Sequence, residues 1–473
     1  MYRPHVNACG LRPCVLMRSW PACESRYNQH MDLAHALRLD TAGHQVVSLV
    51  GAGGKTTALF QLARELIKSS SPLVIVTATS HLGSWQLSWA DHHVILKDDT
   101  DLHGILDQVE GILLLTGEIS GNRTLPIPDR QLGWLRENLP DTGIPLLIEA
   151  DGSRQRSLKA PAEHEPAIPG FTNTALVFAG LNILGKPLTA EYVHRSEIYA
   201  RLSGLAPGDT ITPDAMLRVL IHPHGGLKNL PPGTRRVAFL NQADTNALQS
   251  VGGTMAHRLL DHFDSVVIGS LKNGHRETIE RTAGIILAAG ASTRFGSPKQ
   301  LLDWHGRPFI RQVAETALRA QLDPVIVVTG AHNLKIEAAL KDLPLKIVYN
   351  PEYMKGQSSS IKTGLESLSP NAGAAVFLLA DQPQIPVEVI QALKEAHSRG
   401  LPSIIAPLVL EERRANPVLF DRRTFPDLTQ LTGDVGGRAI FDRHKVEYLP
   451  WHDDILLFDV DSAEDYQRLK DME

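Results

Sequence analysis

AGIILAAGASTRFGSPK, running from Ala283 to Lys299, is the stretch that decides how this chain is read. Its first half is an apolar run closed by small residues, the pattern of a buried strand that ends in a glycine loop. Small side chains at a strand end let the backbone approach a ligand, because nothing covers the amides. Successive N–H groups in such a loop form an anion-binding nest. Arg294 then supplies a bidentate fork and Lys299 a point charge. A lone glycine turn with two solvated cations would carry no function. The full string L-A-A-G-x-S-x-R-x-G-x-x-K is far more specific, and it marks Leu287, Ala288, Ala289, Gly290, Arg294 and Lys299 as nucleotide-binding.

Working outward, short β-branched runs alternate with helical patterns on both sides of this stretch, which is the signature of parallel α/β layers. Upstream, VVSLV (46–50), LVIVTAT (73–79), GILLLTG (111–117), PLLIEADGS (145–153), RRVAFLNQAD (235–244) and SVVIGSL (265–271) read as strands. Downstream, IVVTGA (326–331), KIVYN (346–350), AVFLLADQP (375–383) and ILLFDVD (455–461) continue the series. The expected fold class is therefore α/β: an N-terminal P-loop-type parallel sheet module, followed by a Rossmann-like module. The polar stretch KNGHRETIERT (272–282) is the natural join, giving modules at 31–275 and 283–473.

The 473 residues carry a net charge of −5, with 43% hydrophobic and 21% charged residues. That balance gives no overall basic field for nucleic acid or an anionic membrane, so phosphate recognition must come from local loops. No apolar run approaches the roughly 20 residues of a membrane-spanning helix. All three cysteines, Cys9, Cys14 and Cys23, fall in the first 30 residues, so the rest of the chain cannot build a disulfide, which fits a cytoplasmic protein. Residues 1–30 lack periodicity and an apolar secretion signal, and read as a disordered extension or a start assigned too early, with Met31 as the true beginning.

Gly51-Ala52-Gly53-Gly54-Lys55-Thr56-Thr57 follows a strand and opens a helix, the context a phosphate loop requires. The first glycine of the longer G-x-x-x-x-G-K-[ST] form is missing, and the shorter G-x-x-G-K-T-T form is matched. Gly51, Gly53, Gly54, Lys55 and Thr56 are nucleotide-binding candidates. Lys55 would reach the β/γ-phosphates of ATP or GTP, and Thr56 with Glu149 and Asp151 would hold Mg²⁺. Asn241-Gln242-Ala243-Asp244 echoes a guanine-reading pattern, with Gln in place of Lys, but a four-residue match arises easily by chance.

In the second module Asp381 stands at the C-terminal end of a buried strand, where ligands gather in open α/β sheets. A turn or N-cap aspartate is the plainer alternative. Asp461 closes the last expected strand and is the second candidate carboxylate for Mg²⁺. Asp459 could take that role, and Asp461 could simply cap the final helix, SAEDYQRLKDM (462–472).

From 283 to 473 the chain resembles the nucleotidyltransferases of the molybdenum-cofactor type, and within them the molybdenum cofactor cytidylyltransferases. The resemblance rests on the string already quoted and on GQSSSIK (356–362), LADQP (379–383), NPVLF (416–420), GDVGGR (433–438) and DVD (459–461). Gly437 departs from the alanine expected there. The resemblance implies Arg294, Lys299 and Asp381 as catalytic, Asp381 and Asp461 as metal-holding, and Gln357, Ser358, Ser359, Asn416, Asp434 and Arg438 as substrate-binding. The three serines also suit plain N-cap chemistry. Leu-Ala-Ala-Gly favours the cytidylyl branch, since guanylyl relatives usually carry a second glycine at Ala289.

Residues 31 to about 275 resemble the accessory proteins of selenium-dependent molybdenum hydroxylases. That likeness is carried by the phosphate loop, TATSH (77–81), EADGS (149–153), LKAP (158–161), EHEP (163–166) and VHR (193–195). It implies a pathway rather than a chemistry. The combined expectation is a cytoplasmic fusion that transfers CMP from CTP to the molybdenum–molybdopterin cofactor with release of pyrophosphate. Mg²⁺ would be its metal, and a molybdenum hydroxylase apoenzyme or its insertion chaperone a transient partner, with no nucleic acid or membrane. The alternatives are transfer from GTP, transfer to a sugar phosphate, or a nucleotide-switched cofactor carrier.

Overall fold

The computed structural model describes residues 31–40, 44–97, 100–291, 295 and 297–471. The extension assigned to 1–30, its cysteines, and Arg294 lie outside the described residues.

The N-terminal part is a parallel sheet. Its strands run in the spatial order His92–Ile95, Gly111–Thr116, Leu73–Ala78, Leu146–Glu149, Val46–Gly51, Thr174–Gly180, Arg235–Asn241 and Ser265–Gly269. Every neighbouring pair in that series is parallel. Strands buried on both faces must be apolar throughout, and Leu73–Ala78, Leu146–Glu149 and Thr174–Gly180 are buried at every position. The sequence reading did not single out the strand Thr174–Gly180, although it sits beside Val46–Gly51 at the centre.

The two parts meet along one strand. Arg276–Ala288 is 13 residues long. Arg276–Glu280 pairs antiparallel with Ser265–Gly269 of the first part. Further along, Gly284–Ala288 pairs parallel with Val325–Thr329, and Arg281–Leu287 with Ala372–Leu379. Most of the polar stretch expected as a join is thus strand. Its polarity has a structural cause: Arg276 donates to Met31 O at 2.7 Å, Thr278 to Ala36 O at 2.9 Å, and Glu280 accepts from Arg38. Met31, the short helix Leu33–Ala36 and the turn after it supply these partners for the buried polar groups, with Arg276 Nε left without one among the described residues.

The C-terminal part adds Lys346–Tyr349 beyond Val325–Thr329. On the other flank lie the antiparallel Val418–Asp421, then Ile404–Val409, then Val446–Trp451. The segment 455–461, expected as a strand, is not one. Asp453 accepts from Ile455 N at 2.9 Å and starts a short helical turn, Asp454–Leu457. Leu456 and Val460 are still buried, which explains the apolar pattern without a ladder. Among the described residues no helix is long and apolar enough to cross a membrane.

Candidate functional site

The phosphate-loop motif lies where its sequence context placed it, between Val46–Gly51 and the helix Lys55–Ser69. Gly53 needs to be glycine: its φ is +95°, and a Cβ would stand 2.7 Å from the amide nitrogen of Gly180. The loop is held from below by Asn241, whose side-chain amide donates to Gly53 O at 2.6 Å. Asp244, the would-be guanine reader, accepts from Ser270 Oγ at 2.5 Å.

Lys55 is only 2% exposed and donates to Gly51 O at 2.6 Å. Asp151 is 3.2 Å and Glu149 3.9 Å from its ammonium. Thr56 Oγ1 donates to Glu149 Oε2 at 2.6 Å. The Glu149 carboxyl is pushed up by burial, with Lys55 and the Thr56 hydroxyl pulling the other way. Lys55, Thr56, Glu149 and Asp151 are therefore one cluster. Asp151 differs from the expected metal ligand in its company: its oxygens accept from Gly51 N at 3.1 and 3.0 Å and face Lys159 at 2.8 Å.

Lys159 was missed as a site residue. It is buried, and bridges Asp151 to Glu165, itself 2.7 Å away. Arg195 forks onto Glu165 with two bonds of 2.8 Å. Although burial opposes it, these donors hold the Glu165 carboxyl down to about 2. The sequence signals were a lysine in the apolar run Leu158–Ala160 and its place in LKAP (158–161), and its partners could not be read from spacing.

In the C-terminal part, Leu287 and Ala288 end the long strand and Ala289, 7% exposed, begins the loop. Gly290 O accepts from the buried Gln300 side chain at 2.8 Å, which ties the loop to the turn Lys299–Leu301. Lys299 reaches across to Asp461 Oδ1 at 2.7 Å. Asp381 follows the strand Ala372–Leu379. Burial raises its carboxyl, Lys299 opposes this, and Asp459 and Asp461 add to the rise. Three aspartates and one lysine thus converge from three separate segments. Asp459 accepts from Gln382 at 2.7 Å. Asp461 does not cap the final helix, because Ser462 Oγ takes the Asp465 N–H at 3.1 Å and receives a reciprocal cap from that carboxylate. Among the described residues no three His, Cys, Asp or Glu side chains form a ready metal cage.

The candidate acceptor residues gather in part. Gly356, with φ +102°, would place a Cβ 2.5 Å from the Asp434 backbone, so the loop 433–436 packs directly on the helix Gln357–Glu366. Gln357 N donates to Asp434 Oδ1 at 3.2 Å and Ser358 Oγ to Gly433 O at 2.6 Å. Ser359 Oγ donates back to Gly356 O at 2.8 Å. The serines thus do local structural work. Arg438 is exposed on the following turn, with Arg414 O at 3.5 Å. Among the described residues no hydrogen bond joins Asn416 to this cluster. Gly437 is forced by packing: a Cβ would meet the Phe420 ring at 2.7 Å.

With this geometry in view, family models match in two places. Residues 47–197 match the YqeC protein model, and residues 284–448 the MobA-like NTP transferase domain. The chain joins a YqeC domain to a MobA-like NTP transferase domain. Over 198 residues it is 35% identical to the uncharacterized protein YqeC of Escherichia coli, covering 42% of this chain and 75% of that one. Over 197 residues it is 32% identical to nicotine blue oxidoreductase of Paenarthrobacter nicotinovorans, covering 39% and 95%. Over 142 residues it is 30% identical to a probable molybdenum cofactor guanylyltransferase of Bacillus cereus, covering 30% and 68%. The YqeC domain and the nucleotidyltransferase domain anticipated from the motifs are therefore both present.

Proposed function

We propose that the transferase domain moves CMP from CTP onto the terminal phosphate of the molybdopterin cofactor. The observation that carries the reading is the convergence of half-buried Asp381 with Lys299, Asp459 and Asp461 beside the Leu287–Gly290 segment. Transfer of this kind is mostly positioning and charge stabilisation. The loop amides and Lys299 would hold the triphosphate with its α-phosphorus exposed, Arg294 serving the same charge by its place in the motif. An acceptor phosphate oxygen forms the new bond there as the bond to pyrophosphate breaks. Asp381 and Asp461 are suited to a divalent cation: the Asp381 carboxyl, raised by desolvation and then by Asp459 and Asp461, is stabilised as its anion when a hard cation joins it. Bound there, the cation would neutralise charge developing on the phosphates.

Ala289 supports the cytidylyl choice, since its methyl narrows the space for a purine. Guanylyl transfer is the second reading, favoured by the likeness to the Bacillus guanylyltransferase. The YqeC domain would bind a nucleotide at Gly51–Thr56 and serve maturation of a molybdenum hydroxylase. Incubating the whole protein with Mg²⁺, molybdopterin cofactor and each NTP, then weighing the product by mass spectrometry, tests the proposal. A cofactor heavier by CMP supports it. A cofactor heavier by GMP selects the second reading, and an unchanged cofactor with all four NTPs refutes both.

A further inference from the structure

The strand end that carries the phosphate-loop carboxylates has a second side. Glu149 and Asp151 turn toward Lys55, while the alternate residues Ala150 and Gly152 line a separate cavity of about 340 Å³. Thr79 and Ser80, just past Leu73–Ala78, form another part of its wall, so it opens at the C-terminal ends of parallel strands. Ligands gather at such edges, and the volume suits a small molecule.

Its charge is one-sided. Arg123, Arg154 and Arg195 face it against a single carboxylate, Glu165. Glu165 is already taken by Arg195 and Lys159. Among the described residues neither Arg123 nor Arg154 pairs with a carboxylate, and Arg123 instead lies 3.2 Å from His81 Nε2. The buried Ser80 hydroxyl likewise finds no partner among the described residues. His81, His164 and His194 complete the polar lining. Two exposed guanidinium groups without a carboxylate partner, a spare hydroxyl and three imidazoles thus share one concave site in which donors outnumber the single carboxylate.

We propose that this cavity binds a compact anion, a molecule bearing a phosphate or carboxylate group, as a ligand of the YqeC domain distinct from anything held by the glycine loop. The proposal stands on the cavity itself and does not depend on the nucleotide reading of that loop. Arg154 and Arg123 would grip the anion as forks, and Ser80 would donate to it. The field agrees with this. Burial, then Arg195, Lys159 and Arg154, lower His194 to about 4, with Glu165 opposing. Burial and Arg123 also lower His81, and Lys55 and Arg154 add to that while Glu165 opposes. An anion in the cavity would relieve both.

The experiment follows the histidine Cε1–H resonances of the whole protein by NMR while inorganic phosphate or malonate is titrated in. At least one of the two anions should shift His81 and His194 saturably and raise the midpoint of His194 above its value in the free protein. Arg154→Gln and Arg123→Gln should each weaken that binding by about tenfold, the loss of one charge-assisted contact. A response to phosphate alone, or to malonate alone, identifies the group recognised and supports the site. Both anions leaving the two histidines unmoved overturns the proposal, as does binding of undiminished strength in both folded variants. Phosphate binding that shifts no cavity histidine belongs to the glycine loop and also overturns it.

Discussion

Arg38→Ala should weaken the union of the two domains by an amount the structure allows to be estimated. Arg38 comes from the N-terminal part and lies against the shared strand. It reaches Glu280 Oε2 at 2.6 Å and, in the transferase domain, Asp421 Oδ2 at 2.7 Å. Both acceptors are buried, with side chains 3% and 0% exposed. Removing one member of a buried ion pair costs about 3–5 kcal/mol, because it strands the other charge. Glu280 would keep Arg235 at 3.4 Å, and Asp421 would keep His397 at 2.8 Å and Arg423 at 3.0 Å. The cost should therefore fall near the lower end, about 3 kcal/mol. Burial pushes both carboxyls up, yet Arg38 together with Arg235 at Glu280 and His397 at Asp421 holds them below the usual range. A carboxylate lowered in the folded state stabilises above its unfolded pKa of about 4, and that contribution drains away as pH falls further. The difference between wild type and variant should hold from pH 7 to about 5 and shrink below about 4. Urea unfolding followed by tryptophan fluorescence measures it, Trp85 and Trp134 reporting one part and Trp304 and Trp451 the other. A variant within about 0.5 kcal/mol of wild type at pH 7, the range of an ordinary surface change, would refute the argument.

Three further outcomes are expected. Asp381→Asn should lower transfer by about 10²–10³-fold with the fold intact by circular dichroism, as the loss of one strong electrostatic contact does. Because burial raises Asp381 even against Lys299, wild-type transfer should also fall on acidification at a higher pH than an ordinary carboxylate near 4 would give; near-wild-type rates in the variant would remove Asp381 from the site. Lys55→Ala should weaken nucleotide binding at the first loop by tenfold or more in calorimetry, yet leave transfer largely unchanged, since its neighbours are Gly51, Glu149 and Asp151. Loss of transfer along with binding would mean one shared site. Gly437→Ala should cost about 1–3 kcal/mol in thermal unfolding, because its methyl would collide with the Phe420 ring at 2.7 Å; an unchanged midpoint would show that the ring can move aside.

What the sequence made legible follows from what is local. Strand, glycine loop and helix are contiguous between Val46 and Ser69, so the context of the first loop could be read from spacing and small residues alone, and the strand end at Ala288 likewise. Asp381 was legible for the same reason, as the carboxylate ending an apolar run. Lys159 was not, because its meaning lies in Asp151 and Glu165, and a lone lysine normally reads as a solvated charge. The stretch 276–282 misled because buried polar residues resemble a linker until Met31, Ala36 and Arg38 are seen to pair with Arg276, Thr278 and Glu280. The stretch 455–461 misled because Asp453 diverts the backbone into a turn while the apolar side chains still reach the core.

Pyrophosphate release by the purified protein, measured with CTP, GTP, ATP and UTP in the presence and absence of molybdopterin cofactor, tests the account most directly. Release that requires both the cofactor and CTP, exceeds that with GTP, and disappears in Asp381→Asn is the predicted result. Cofactor-dependent release at equal kcat/KM with CTP and GTP would contradict the cytidylyl assignment, and the absence of cofactor-dependent release with every nucleotide would contradict transfer to this acceptor.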